Sequence, residues 1–197
     1  EAYLLENNLV DFDDLLALTY RLLDENKELA KRTSEQYQYI MIDEYQDTNE
    51  LQFRLLQKLC MTHNNLCVVG DDDQSIYGWR GAHVRNILEF HEDFANTTVV
   101  KLEHNYRSRA AILEVANELI QHNRSRLGKK LIPTREGGDA VVTLSSNDEN
   151  EEARKIAAKI TALVNKGVQP KEIAVLYRVN ALSRSLEEGL NRAGIPY

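Results

Sequence analysis

Two adjacent carboxylates, Asp43 and Glu44, close a short apolar run, Ile40-Met41-Ile42. An apolar strand ending in two acids sets both at the carboxyl edge of a parallel sheet, where open α/β folds bind ligands. One acid of such a pair can hold a magnesium ion, which takes one or two protein carboxylates plus phosphate oxygens. Its neighbour can act as general base toward a water, a role worth roughly 10²–10⁴ in rate. Acids after a strand also form turns and cap helices, so the pair alone is a weak signal. A second constellation is aromatic. Tyr77 and Trp79 stand two apart with Arg80 beside them. In an extended segment both rings face one way, and Gly78 and Gly81 permit close approach. Such a platform for unpaired bases is worth roughly 1–3 kcal/mol per stacked base. The competing reading of Trp79, the sole tryptophan, is a core anchor.

The elements that must position these residues follow from hydrophobic spacing. Phe12, Leu15, Leu16, Thr19, Leu22 and Leu23 share one face of a helix opened by Asp11. A helix is expected over 49–61, with Leu51, Leu55 and Leu59 on a stripe, between strands at 40–42 and 66–69. That strand–helix–strand order is a βαβ unit with parallel strands. Further strands are expected at Val99-Val100, Val141–Leu144 and Ile173–Tyr177. Helices are expected around Ile112–Ile120, around Ala153–Val164, and from Leu182 to a C-terminal stop at Gly194. The alternation implies an α/β fold with an open, mostly parallel sheet covered by helices.

Composition narrows the function. The 197 residues carry 24 Lys+Arg against 31 Asp+Glu, a net charge of −7, so the chain is not basic overall as nucleic-acid-binding domains usually are. Residues 101–135 nevertheless hold 8 bases and 3 acids, a basic stretch after an acidic first third. That contrast suits a phosphate site beside an anion-binding face, or equally two solvated helix surfaces. The two cysteines lie outside any CxxC spacing, which excludes a disulfide scaffold and a cysteine zinc site. No apolar run approaches a membrane span and no signal segment opens the chain, so a cytoplasmic setting without membrane contact is expected.

Longer strings carry a resemblance. Ile42-Asp43-Glu44-Tyr45-Gln46-Asp47-Thr48-Asn49 is followed one βα unit later by Val69-Gly70-Asp71-Asp72-Asp73-Gln74-Ser75-Ile76-Tyr77-Gly78-Trp79-Arg80-Gly81-Ala82. Then comes Leu102-Glu103-His104-Asn105-Tyr106-Arg107-Ser108. These resemble motifs II, III and IV of the UvrD/Rep/PcrA family of superfamily 1 DNA helicases. Asp11–Leu16 upstream and Ala174–Arg184 downstream are similar to further family segments. The resemblance implies parallel-sheet RecA-like (P-loop NTPase) lobes with helices on both faces. Residues 1–103 would be the C-terminal part of the first lobe, and 104–197 the N-terminal part of the second.

By the same resemblance Asp43 positions Mg²⁺, Glu44 activates the attacking water and Gln74 senses the γ-phosphate of ATP. Tyr106 stacks on the adenine, and Arg107 reaches the γ-phosphate from the second lobe. Tyr77, Trp79 and Arg80 line a single-stranded DNA channel, with Arg178 and Asn180 on the strand's backbone. The implied whole is an ATP-dependent 3′→5′ DNA helicase. It would couple ATP hydrolysis to translocation on single-stranded DNA and to unwinding at single-/double-strand junctions, in DNA repair or replication. Two other readings stand beside it: the helicase subunit of a recombination helicase–nuclease, and a non-catalytic helicase-like DNA-binding module.

The frame G-x-x-x-x-G-K-[ST] occurs nowhere in the 197 residues. The chain is therefore expected to be an internal piece, inactive by itself. Gly128-Lys129-Lys130 is not a phosphate loop, and the five histidines show no metal-ligand spacing. Asp72 and Asp73 could tune the site, but exposed loop acids are the preferred reading. Asp47 either couples the lobes or caps the helix that follows.

Overall fold

Side-chain caps fix where several of the helices begin. The structure, a computed structural model, describes residues 2–197. After a short helix α1 (Ala2–Glu6), helix α2 (Phe12–Glu25) starts at Asp11, whose carboxylate accepts from Asp14 N–H at 2.8 Å. The Asp14 carboxylate accepts in return from Asp11 N–H at 3.1 Å. This reciprocal box satisfies amides that the helix cannot bond internally. Asn26 caps α3 (Lys27–Gln36) with a single bond, its side chain accepting from Leu29 N–H.

Strand β1 (Ile40–Ile42) pairs in parallel with β2 (Leu66–Val68), in the register Ile40–Leu66, Met41–Cys67 and Ile42–Val68. Helix α4 (Glu50–Leu59) makes the crossover and is opened by a capping box between Asn49 and Gln52. The expected βαβ unit is thus present. Two short helices, α5 (Arg85–Leu88) and α6 (Phe90–Asp93), follow. Phe90 stacks on Phe94 at 4.7 Å and meets Tyr45 edge-on at 5.5 Å.

A second parallel pair joins β3 (His104–Arg109) to β4 (Ile132–Arg135), with α7 (Ala110–Ile120) between them. Asn117 of α7 fixes the entry to β4, because its amide both donates to and accepts from the backbone of Leu131. Helices α8 (Glu149–Asn165) and α9 (Ser183–Arg192) complete the chain. By their contacts the residues form two compact units, 1–140 and 141–197. No described helix is long and apolar enough to cross a membrane.

Three expected strands are absent. Val99-Val100, Val141–Leu144 and Ile173–Tyr177 carry no sheet hydrogen bonds among the described residues, and Leu176 is 93% exposed. Apolar β-branched runs favour extended backbone, but a strand also needs a neighbour for its N–H and C=O groups. The neighbour-forming strands are instead β3, polar throughout, and β4. Helix faces differ as well. Phe12, expected toward the core, is 89% exposed, and of the α2 stripe only Leu23 is buried.

The core of unit 141–197 forms where α8 meets α9. Ala157, Ile160 and Leu190 are buried, with Ile173, Val175 and Ile195 against them. The expected stop at Gly194 is present, with φ +68°. Gly194 N–H donates to Asn191 C=O, and Ile195 N–H to Leu190 C=O, the paired bonds of a left-handed glycine terminator. One turn earlier, Gly189 touches Ala153. A Cβ there would lie 2.8 Å from the Ala153 Cβ and 3.2 Å from its carbonyl oxygen. In an open helix Gly→Ala stabilises by about 1 kcal/mol. At Gly189 the sign should reverse, because the helices must part. Gly189→Ala is expected to cost about 1–3 kcal/mol in urea unfolding of this unit.

Candidate functional site: the carboxyl ends of β1 and β2

The backbone ladder of the first sheet runs one step past its strands. Val69 N–H donates to Ile42 C=O, and Tyr45 N–H to Val69 C=O. Asp43 and Glu44 therefore leave β1 where the Gly70-Asp71 turn leaves β2. Glu44 adopts a left-handed backbone, φ 51° and ψ 41°, which costs an ordinary residue about 1–2 kcal/mol. It is held there from two sides. Its amide donates to the Asp43 carboxylate at 2.9 Å, and its own carboxylate accepts from the Gln46 side-chain amide at 2.7 Å. Both acids are solvent-exposed.

Gln46 is one residue that sequence reasoning missed. It is buried, and its Oε1 accepts from Asp71 N–H at 3.0 Å while its Nε2 holds Glu44. Ser75 Oγ bonds the Gln46 carbonyl at 3.3 Å. The bridge explains Gly70, where a Cβ would lie 2.6 Å from Gln46 Oε1 and 2.8 Å from Ile87 Cδ1. The available signal was an amide between two acidic turns, which has the donor and the acceptor needed to join them.

Gln74 lies in a 3-10 turn (Asp72–Gln74) and donates to Asp71 Oδ2 at 2.6 Å. Glu44, Gln46, Asp71 and Gln74 thus form one continuous hydrogen-bonded chain. Asp72 and Asp73, expected as exposed acids, are not exposed. Asp73 is paired through both oxygens with Arg126, at 2.9 and 2.5 Å, and Asp72 accepts from Leu127 N–H at 2.8 Å. Asp47 does not cap α4, since Asn49 does, and its Oδ1 is buried without a partner among the described residues.

The aromatic segment is not extended. Gly78–Arg80 is a single 3-10 turn closed by Gly81 at φ +87°. Gly81 thus serves the turn's left-handed end, and open space surrounds Gly78. The two rings are brought together by Arg80, whose guanidinium lies 5.2 Å from Tyr77 and 4.6 Å from Trp79. Trp79 is 71% exposed and is not a core anchor. Thr48 C=O accepts from His83 N–H, and Asn49 bridges Ala82, so this segment is tied to the turn after β1.

Tyr106 and Arg107 sit at an irregularity in β3. The Asn105 side chain accepts from Arg107 N–H and Ser108 N–H, and the register with β4 shifts between Asn105 and Arg109. A bulge of this type re-aims side chains, and both residues are exposed. Neither bonds the Asp43–Glu44–Gln74 group among the described residues. Arg178 and Asn180, also exposed, belong to unit 141–197.

Residues 1–95 match the family model described as the UvrD/REP helicase N-terminal domain, and residues 100–197 match the UvrD-like helicase C-terminal domain. A probable DNA helicase II homolog of Rickettsia conorii is 46% identical over 195 residues, covering 98% of this chain and 30% of the relative. The ATP-dependent DNA helicase PcrA of Bacillus subtilis is 45% identical, with 98% and 26% covered. The ATP-dependent DNA helicase Rep of Buchnera aphidicola is 42% identical, with 99% and 30% covered. The chain therefore spans less than a third of the relatives it matches.

The Asp71 carboxyl has a pH consequence. Burial alone would raise it, but the Lys129 ammonium, the Gln74 amide and the Asp73 N–H together hold it below its usual 3.8. A carboxyl depressed by folding stabilises the fold above its unfolded value and loses that contribution as pH falls through the folded one. The stability gap between wild type and Asp71→Asn should be constant near neutrality and close only below about pH 3.8. Urea melts across pH 2.5–7 (roughly the span of carboxyl titration) check this, and a gap that closes above pH 5 would contradict it.

Proposed function

Because the chain belongs to the UvrD-like helicase family, we propose that it carries part of the ATP-hydrolysing and DNA-gripping machinery of an ATP-dependent 3′→5′ DNA helicase. What supports the reading is the single hydrogen-bonded chain from Glu44 through Gln46 and Asp71 to Gln74. In this reading residues 1–103 belong to a first RecA-like lobe and 104–197 to a second. The partners are ATP, single-stranded DNA and strand junctions.

Glu44 is the general base in this proposal. Its carboxylate is solvent-exposed and is oriented by Gln46. Gln74 donates one N–H to Asp71, so its second N–H and its carbonyl remain to meet a phosphate oxygen and the attacking water. Arg107, on the bulge of β3, places positive charge on the γ-phosphate, where phosphoryl transfer needs positioning and charge more than covalent help. Tyr106 offers a face to the adenine. Tyr77, Trp79 and Arg80 stack with bases, and Arg178 and Asn180 contact the strand's backbone.

The donor set fits magnesium. No group of three or more His, Cys, Asp or Glu gathers into a metal cage among the described residues. Asp43 offers an exposed carboxylate with one oxygen bonded to the Glu44 amide. A lone carboxylate completed by phosphate and water is a usual Mg²⁺ arrangement. Asp43 would hold the ion, which when bound neutralises phosphate charge. The absent G-x-x-x-x-G-K-[ST] frame leaves these 197 residues without a cradle for the β- and γ-phosphates, so turnover is assigned to the intact polypeptide.

In that polypeptide Glu44→Gln should lower ATP turnover by roughly 10²-fold or more while ATP and single-stranded DNA still bind. Steady-state hydrolysis and filter binding measure the two, and near-normal turnover would remove Glu44 as the base. Trp79 is the only tryptophan here and is exposed, so oligonucleotide should quench its emission at low salt and release it as salt rises. An emission spectrum indifferent to oligonucleotide would exclude Trp79 from the DNA platform.

A further inference from the structure

The acidic turn after β2 is gripped from outside by a basic segment more than fifty residues later. Lys129 Nζ lies 2.6 Å from Asp71 Oδ1, while Gln74 takes Asp71 Oδ2. Arg126 holds both oxygens of Asp73 and also donates to Lys129 C=O at 2.9 Å. Lys101 donates to the carbonyls of Leu127 and Gly128, closing the turn on its other side. These are not loose surface pairs. The side chains of Asp71 and Lys129 are each 18% exposed, and those of Asp73 and Arg126 are 11% and 16% exposed. Beyond Lys130 the segment enters β4, whose partner β3 carries Tyr106 and Arg107.

We propose that Lys129, with Arg126 beside it, is a positioning residue for Gln74. Lys129 shares one oxygen of Asp71 with the Asp73 N–H, steadies the plane of that carboxylate and leaves the other oxygen to hold the Gln74 amide. The inference rests on the ATP-hydrolysing reading above and adds a control that the sequence strings did not suggest, since Lys129 lies outside all of them. Asp71 is a shared acceptor. Without Lys129 only the Asp73 N–H, at 3.1 Å, still meets that oxygen, so the carboxylate is held less firmly and the Gln74 amide is less well aimed. A glutamine that must meet both a phosphate oxygen and a water loses rate when misplaced by an ångström, but contributes little to ATP affinity. The clasp therefore acts on kcat rather than on KM.

The test uses the intact polypeptide and DNA-stimulated ATP hydrolysis. Lys129→Met should lower kcat roughly ten- to hundredfold, as losses of orienting outer contacts do. The KM for ATP should stay within about twofold, and Lys129→Arg should restore most of the rate. Gln74→Ala should lower kcat comparably, and the double variant Gln74→Ala/Lys129→Met should be no worse than Gln74→Ala alone, because both act through one amide. If Lys129→Met fails to fold, Asp71→Asn/Lys129→Met, which leaves no unpaired charge, takes its place with the same expected kcat. A folded variant at wild-type kcat overturns the proposal, and so do effects of Gln74 and Lys129 that simply add. Wild type without ATP turnover would instead sink the ATPase reading, and this inference with it.

Discussion

A buried side-chain amide can bind two turns only if it is satisfied at both ends, and Gln46 is. Its NH₂ group holds the Glu44 carboxylate and its oxygen accepts from Asp71 N–H. The ends of β1 and β2 are thereby locked together by a group that would be costly to bury with either bond missing. Several local features are consequences of that lock. Gly70 has no room for a Cβ, Glu44 is kept in a left-handed conformation, and Asp71 faces Gln74. The arrangement is polar where most of the described buried residues are apolar, and it is specific for that reason. A slipped register would leave buried donors and acceptors unpaired.

Two kinds of device aim the exposed groups. Turns do it at Gly78–Gly81, where Arg80 collects two aromatic rings. A side-chain acceptor does it at Asn105, which captures two successive amides of β3 and interrupts its register. Neither device depends on apolar burial around Tyr77, Trp79, Tyr106 or Arg107, so these side chains keep open faces. The apolar core lies elsewhere. It includes Leu23, Ala30, Leu56 and Cys60 in one unit and the α8–α9 contact in the other.

Legibility in the sequence followed the range of each interaction. The cap at Asp11 and the glycine stop at Gly194 are local, set by residues within four or five positions, and were readable, whereas α4 is capped by Asn49 and not by the Asp47 that the sequence offered. The β1–α4–β2 unit was readable because two apolar runs flank one periodic helix. Strands β3 and β4 were not, because their pairing rests on Asn117 holding Leu131 and on polar residues with no alternating pattern. Of the site, Asp43, Glu44 and Gln74 were legible as strings. Gln46, Asp71 and Lys129 were not, because what matters about them is which distant group they meet.

The basic stretch at 101–135 shows what a charge count leaves out. Its surplus of bases reads as an anion-binding face, yet much of that charge is committed within the fold. Arg126 and Lys129 are neutralised by Asp73 and Asp71, which lie outside the stretch, and Lys101 and Arg135 are turned toward backbone carbonyls. Arg107, Arg109, Arg124 and Lys130 remain exposed. Coulomb attraction for a phosphate depends on charges not already paired at hydrogen-bond distance. Two of those four bases stand on the bulged strand that also carries Tyr106. Within the stretch, β3 thus keeps uncommitted positive charge beside Tyr106, while the Arg126–Lys129 segment gives its charge to holding the acidic turn in place.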